Sequence, residues 1–201
     1  IPSSYDYDIL PRMKGVHPAY TVENLAPDGF EAKVGGMSFR EDGKLVLSSW
    51  DKDGAVFLVD PNAPASSRIK RIAEGLQEPL GLTTVGQRIF VLQKQELTEL
   101  IDSDGDDVID EYQTIVDEWP STANFHSFAF GLLHREDHFY FLLSICVLPG
   151  GASCPDQEPT QGKLLRADLE GNIEIVASGF RTPNGIGVGP DNAIYVTDNQ
   201  G

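Results

Sequence analysis

Basic residues are scarce. Lys and Arg number 15 against 31 Asp and Glu, a formal net charge of −16. A chain this acidic is repelled by phosphate backbones and by anionic lipid, which argues against both as partners and says little about a neutral small molecule. Long apolar runs are missing: none approaches the roughly 20 residues that cross a bilayer. The chain opens IPSSYDYD, with neither a basic start nor an apolar segment, so no signal peptide is visible. Cysteine is nearly absent. The two that exist, Cys146 and Cys154, sit in VLPGGASCPDQEP with no histidine nearby, which argues against zinc. They read either as a disulfide closing a long loop, which places the chain outside the cytosol, or as two free thiols. No stretch carries a convincing long helical period.

What the sequence has instead is turn punctuation. Its 20 Gly and 13 Pro are spread at regular spacing among short apolar runs, and 40% of the residues are hydrophobic, enough for a sizeable core. One phrase recurs four times. It appears as GGMSFREDGKLVLSSWD (from Gly35), PLGLTTVGQRIFVLQK (from Pro79), HSFAFGLLHREDHFYFLLS (from His126) and PNGIGVGPDNAIYVTDN (from Pro183). Aligned on Gly36, Gly81, Ser127 and Gly185, the copies are spaced by 45 residues (36 to 81), 46 (81 to 127) and 58 (127 to 185), the last interval containing the cysteine insertion. All-strand repeats of about 40–50 residues are the mark of propeller blades, each of which buries its faces only by stacking on neighbours around a channel.

The expected fold is therefore an all-β propeller, with an N-terminal arm over residues 1–16 and the propeller domain over 17–201. Blade one is expected to use Phe30–Val34, Met37–Phe39, Leu45–Ser49 and Ala55–Asp60. Arg68–Ala73 is the next outer strand, and blade two continues through Leu80–Thr84, Arg88–Gln93 and Leu97–Ile101. Blade three is Phe128–Leu133, Phe139–Leu143, Lys163–Ala167 and Ile173–Ala177. Only three blades and the start of a fourth fit in 201 residues, so the natural polypeptide is expected to continue past Gly201, or another chain to complete the ring.

Three places could carry chemistry. DSDGDDVIDE sets Asp102, Asp104 and Asp106 at positions 1, 3 and 5 of a calcium loop, with the Val108 carbonyl at position 7 and Asp110 at position 9. Asp107 replaces the usual glycine of position 6, and Gln113 stands at position 12 where a bidentate carboxylate is usual. The stretch is either a structural Ca²⁺ clip at a blade edge or a solvated acidic turn. His126 lies in the lead-in to an inner strand, at one mouth of the channel. It is placed either to act as a general base or to hydrogen-bond a neighbouring blade. Arg181 and Asn184 precede the fourth inner strand on the same rim. Arg181 can hold a carboxylate in bidentate fashion or brace two blades; Asn184 can ligate a metal or cap the loop. Gln77 and Glu78 hold the equivalent position in blade two. His134 and His138 flank a hairpin turn and read as solvent-exposed, and His17 carries no assignment.

Taken in order, GG-x-x-F-x-x-DG, EPLGL, NFH and GFRTPNGIG resemble the quinoprotein sugar dehydrogenases of the soluble glucose and sorbosone dehydrogenase type, over roughly Gly29 to Gly201. The resemblance implies a six-bladed propeller carrying pyrroloquinoline quinone (PQQ) with Ca²⁺ over the channel mouth, a sugar or polyol substrate, and a secreted protein. By the same resemblance His126 is the base that takes the sugar hydroxyl proton, Arg181 contacts the cofactor, and Gln77 matches a cofactor-contacting glutamine across a one-residue gap. Ser127 and Phe128 stand where the family has glycines. A second resemblance, of PNGIGVGPDNAIYVTD to gluconolactonase-type propellers, implies Asn184 as a metal ligand; the glutamate that family carries in its first blade is absent from GGMSF. A propeller that binds a partner without catalysis is the third reading.

Overall fold

The computed structural model describes residue 21 and residues 23–199. The expected arm over residues 1–16 and His17 lie outside the described residues. No helix occurs among them, so none is long and apolar enough to cross a membrane. Fourteen strands form three four-stranded antiparallel meanders and one two-stranded hairpin. Blade one is β1 (Val34–Phe39), β2 (Leu45–Ser49), β3 (Val56–Val59) and β4 (Ile69–Ala73). Blade two is β5 (Gly81–Val85), β6 (Arg88–Leu92), β7 (Leu97–Ile101) and β8 (Glu111–Val116). Blade three is β9 (Ala129–Arg135), β10 (His138–Leu143), β11 (Lys163–Ala167) and β12 (Ile173–Ser178). Blade four contributes β13 (Pro183–Val188) and β14 (Ile194–Asp198).

The apolar runs are continuous because both faces of a blade are covered. Along β6, Ile89 and Val91 join Val46, Val56 and Leu58 of blade one, while Phe90 and Leu92 join Phe139, Phe141 and Leu165 of blade three. Along β10 the alternation repeats: Phe139, Phe141 and Leu143 face blade two, and Tyr140 and Leu142 pack with Ile186, Ile194 and Val196 of blade four. The inner strands approach so closely that glycine is required. A Cβ on Gly36 would lie 2.6 Å from the Leu82 nitrogen, and one on Gly81 2.7 Å from the Gly131 oxygen. Ser38 and Thr84 bridge the same seam by a 2.9 Å hydroxyl pair, and Ser48 Oγ donates to the Pro79 carbonyl at 2.8 Å. Met37 and Phe39, on the opposite face of β1, remain exposed.

Four expectations change. Arg68–Ala73 was grouped with blade two, yet β4 pairs with β3 and closes blade one. Of Phe30–Val34 only Val34 is in a strand; Phe30 instead packs edge-on against Phe57, with centroids 5.0 Å apart. The outer strand of blade two is β8, which the sequence reading passed over. Finally, the repeat position in blade three is Gly131, not Ser127. Gly131 lies four residues before the hairpin pair Arg135–His138, as Gly81 lies four before Val85–Arg88. Gly131 has a φ of 64°, and its missing Cβ leaves room for Ile186 of blade four.

The meander order fixes two ends. Every inner strand starts at the end where the crossovers 74–80, 117–128 and 179–182 run. This upper end also carries the β2–β3, β6–β7 and β10–β11 hairpins. The β1–β2, β5–β6 and β7–β8 connections lie at the lower end.

Candidate functional site

The acidic loop joins β7 to β8 and is therefore at the lower end. Its geometry follows from Asp102, whose Oδ1 accepts the backbone N–H of Gly105 at 2.8 Å and whose Oδ2 accepts that of Asp107 at 2.8 Å. Carboxylate oxygens of Asp102, Asp104 and Asp106 converge within 4.8 Å of one another, a set of hard oxygens suited to Ca²⁺. Asp107 takes the left-handed backbone that glycine would supply, with φ 60°. Its side chain leaves the loop and clamps blade one, meeting Arg40 Nη1 and Lys44 Nζ at 2.9 Å each. Asp110 is not gathered with the other three: its Oδ2 accepts from the N–H and hydroxyl of Ser103, at 2.8 and 2.6 Å. Val108 is exposed, and its N–H donates to Asp106 Oδ1 at 2.7 Å.

The seam has a pH signature. The Arg40 hydrogen bond holds the Asp42 carboxyl below its ordinary 3.8, and for Asp107 burial is outweighed by the hydrogen bonds from Lys44 and Arg40, with the same net direction. A depressed folded-state value means stability that is complete above the unfolded value and lost as pH falls through the folded one. Asp107→Asn keeps a side chain that tolerates left-handed φ and removes only the charge. Its thermal midpoint is expected slightly below wild type at neutral pH, by about 1 kcal/mol or less for such partly solvated pairs. Below about pH 4 the gap closes, and a gap that persists into acid would show that charge is not its origin.

The upper end holds His126, Arg181, Gln77 and Asn184. His126 is half-buried in the lead-in to β9. Its backbone N–H donates to Asn124 Oδ1 at 2.9 Å, an Asx turn. Its ring lies edge-on to Phe125 and tilted on Phe128. Nδ1 faces the Ile145 carbonyl at 3.4 Å, and Nε2 faces Thr182 Oγ1 at 3.4 Å. A carbonyl only accepts, so this contact favours the proton on Nδ1 and leaves Nε2 unprotonated, facing the Thr182 hydroxyl, the state a general base needs. Arg181 lies beside it through Thr182. Its backbone N–H donates to Asp198, and its Nη2 donates to the Gly151 carbonyl at 2.7 Å. No carboxylate pairs with its guanidinium among the described residues, which leaves Nε and Nη1 as unspent donors.

Gln77 is on the same end, in the crossover into β5. Its N–H donates to Gln93 Oε1 at 2.6 Å and its carbonyl accepts from Lys94, while its side-chain amide has no partner among the described residues. Beside it Glu78, at φ 47°, pairs with the buried ammonium of Lys94 at 3.2 Å. Asn184 stands apart from the His126–Arg181 pair. It opens on the channel wall, a cavity of about 230 Å³ formed by Gly36, Gly81, Gly131, Gly185 and aliphatic neighbours, and its Oδ1 accepts from Thr197 at 3.4 Å. No carboxylate lines that cavity among the described residues.

Cys146 and Cys154 form a disulfide, with Cα atoms 5.4 Å apart. The loop they close is a small hairpin at the upper end, joined by a Val147–Ser153 bridge. His134 and His138 are half-buried rather than exposed. His134 packs on Phe139, and burial pushes its imidazole below the usual value. The NFH stretch contains Asn124 but the sequence assigns it no role of its own, and Thr182 was passed over. An asparagine two residues before a loop histidine is a turn signal that could have marked the first; nothing in the sequence marks the second.

At five residues per strand and about 3.3 Å per residue, the two ends are roughly 16 Å apart. The acidic loop therefore does not reach His126.

No family model matches the chain, and no curated protein matches it. Solved structures do. The PQQ-bound aldose sugar dehydrogenase of Streptomyces coelicolor is 14% identical, with a TM-score of 0.67, over 89% of this chain and 59% of its own. A gluconolactonase of Xanthomonas campestris is 17% identical, with a TM-score of 0.61, over 84% and 55%. A chain of a nidogen–laminin complex is 15% identical, with a TM-score of 0.58, over 82% and 56%. The chain spans rather more than half the length of these structures. Likeness at such identities speaks for architecture, and these three proteins do different work on it. The chain is a partial β-propeller, sharing its architecture with PQQ-dependent sugar dehydrogenases and with gluconolactonase.

Proposed function

We propose that this chain is part of a secreted, PQQ-dependent sugar or polyol dehydrogenase, with its site at the upper end. The observation that carries the reading is the junction of His126, Thr182 and Arg181, contributed by two blades at one channel mouth. In this reading His126 Nε2 takes the proton from a substrate hydroxyl, and Nδ1 stays on the Ile145 carbonyl. Arg181, through Nε and Nη1, and the side-chain amide of Gln77 would hold the carboxylates and carbonyls of the quinone. The quinone, when bound, supplies the hydride acceptor. Phe125, edge-on, and Phe128, tilted, flank the imidazole. The disulfide accords with export to an oxidising compartment.

The test is reconstitution of the intact natural protein with PQQ and Ca²⁺, following quinone absorbance and dye reduction across a panel of sugars. Binding with sugar-dependent reduction establishes the reading. Absence of binding at saturating cofactor ends it and moves the weight to the lactonase and binding-propeller readings. The lactonase reading has less support, because no carboxylate lines the channel cavity beside Asn184 among the described residues.

We also propose Ca²⁺ at Asp102, Asp104 and Asp106, with the Val108 carbonyl, as a clip between blades one and two. Asp110 would have to leave Ser103 to join them. At 100 times its Kd the ion would add about 2.7 kcal/mol of stability. The wild-type melting midpoint is expected to rise in Ca²⁺ over chelator, and the Asp102→Ala/Asp104→Ala variant to show no such rise. Equal wild-type midpoints in Ca²⁺ and chelator would leave a plain acidic turn.

A further inference from the structure

The hairpin closed by Cys146–Cys154 is built into the rim rather than hung on it. Its first residue, Ile145, has its two peptide groups divided between blades. Its N–H donates to the Arg181 carbonyl at 3.0 Å, and its carbonyl faces His126 Nδ1. Its tip delivers the Gly151 carbonyl to Arg181 Nη2. Asn124 ties the histidine loop to the same hairpin: Nδ2 donates to the Val147 carbonyl at 2.9 Å, and Oδ1 accepts from both Val147 N–H, at 3.4 Å, and His126 N–H. Gln157 holds the base of the hairpin, accepting from Cys146 N–H and donating to the Cys146 and Cys154 carbonyls. The side-chain hydrogen bonds that tie the His126 loop to the strand carrying the Ile145 carbonyl therefore run from Asn124 to this hairpin, while Thr182 and Phe128 meet the ring from its other sides.

We propose that Asn124 is a positioning residue that, with the disulfide hairpin as its template, keeps the His126 proton on Nδ1 and its Nε2 bare. The inference rests on the reading of His126 as the base, but the tautomer can be measured without turnover. A tautomer is chosen by whichever nitrogen has a fixed acceptor. Ile145 supplies that acceptor only while residue 145 and the ring are held at one separation. With Asn124 removed, His126 N–H loses its acceptor and Val147 both of its side-chain contacts, and the 3.4 Å contact is the first to lengthen.

The experiment is long-range ¹H–¹⁵N correlation of the histidine side chains in the intact natural protein, at a pH where the rings are neutral, with His126 assigned by its loss in His126→Gln. Wild type is expected to show one tautomer at His126, protonated on Nδ1. Asn124→Ala is expected to give averaged, mixed-tautomer nitrogen shifts at His126, with those of His134 and His138 unchanged. Asn124→Asp keeps the acceptor for His126 N–H and loses the donor to Val147. It is expected to fall between the two and serves if the alanine variant does not fold. A Cys146→Ser/Cys154→Ser variant should move the same signal. A His126 signal in Asn124→Ala that matches wild type overturns the proposal, as does a wild-type ring protonated on Nε2. If turnover is measurable, Asn124→Ala should lower kcat roughly 10- to 100-fold with KM little changed, and should have no further effect in a His126→Ala background. A tautomer change without any sugar oxidation in wild type would sink the dehydrogenase reading and leave the positioning role standing.

Discussion

His126→Ala is expected to fold as wild type does and to lose at least ~100-fold in turnover with PQQ and sugar, the low end for removing a general base. Folding should survive because little of the structure leans on the imidazole. The ring is half-buried, both of its nitrogen contacts are long at 3.4 Å, and its neighbour Phe128 also packs on Phe130, with centroids 5.0 Å apart. The anchor of the loop is the backbone bond to Asn124, which alanine keeps. Turnover should fall because no other imidazole or carboxylate contacts Thr182 Oγ1 among the described residues. The measurement is steady-state dye reduction beside a melting curve. Unchanged turnover with an unchanged melt would remove His126 from the mechanism. Lost turnover with a lowered melt would show instead that the ring braces blades three and four.

The second large effect is expected at Gly81. A methyl group there would meet the Gly131 carbonyl oxygen at 2.7 Å, its carbon at 2.9 Å and Leu92 Cβ at 3.0 Å. Two of these are backbone atoms of β9, so no side chain can swing aside. The inner strands of blades two and three must separate, which opens the seam filled by Phe90, Leu92, Phe139 and Phe141. Overpacking of this kind costs about 1–3 kcal/mol, which for a chain of this size lowers the melting midpoint by roughly 5 °C. Gly187→Ala is the control. Gly187 is also on an inner strand, but nothing lies within 4 Å of its missing Cβ. Its midpoint should hold or rise slightly, since alanine restricts the unfolded chain more than glycine does. If Gly81→Ala melts with wild type, β5 and β9 are not packed as closely as described.

Much of the architecture is local chemistry, and so was legible. EDGK, VG and PDN are turns because glycine, asparagine and aspartate accept the backbone angles a hairpin needs, and Gly43, Gly86 and Asn192 all take positive φ. Unbroken apolar runs such as Ile89–Leu92 implied sheets covered on both faces. β8 was passed over because four of its six residues, Glu111 to Thr114, face solvent and leave no apolar period to read. β4 was assigned to the wrong blade because a strand's sequence names its character and not its partner; the hydrogen bonds to β3 decided that.

The sequence by itself determined the repeat, the strands and turns of each blade, the oxygen donors gathered in the acidic loop, and the placing of His126 and Arg181 in loops that open inner strands. Each of these depends on neighbours a few residues away. Tertiary structure alone decided that the acidic loop and the histidine lie at opposite ends of the blades. It alone put Gly131 rather than Ser127 at the close approach, and set Thr182 and the Ile145 carbonyl on either side of one imidazole. Those juxtapositions come from which strands pair and which faces stack, and the free energy that selects them is contributed by contacts between residues tens of positions apart, as between Thr182 and His126.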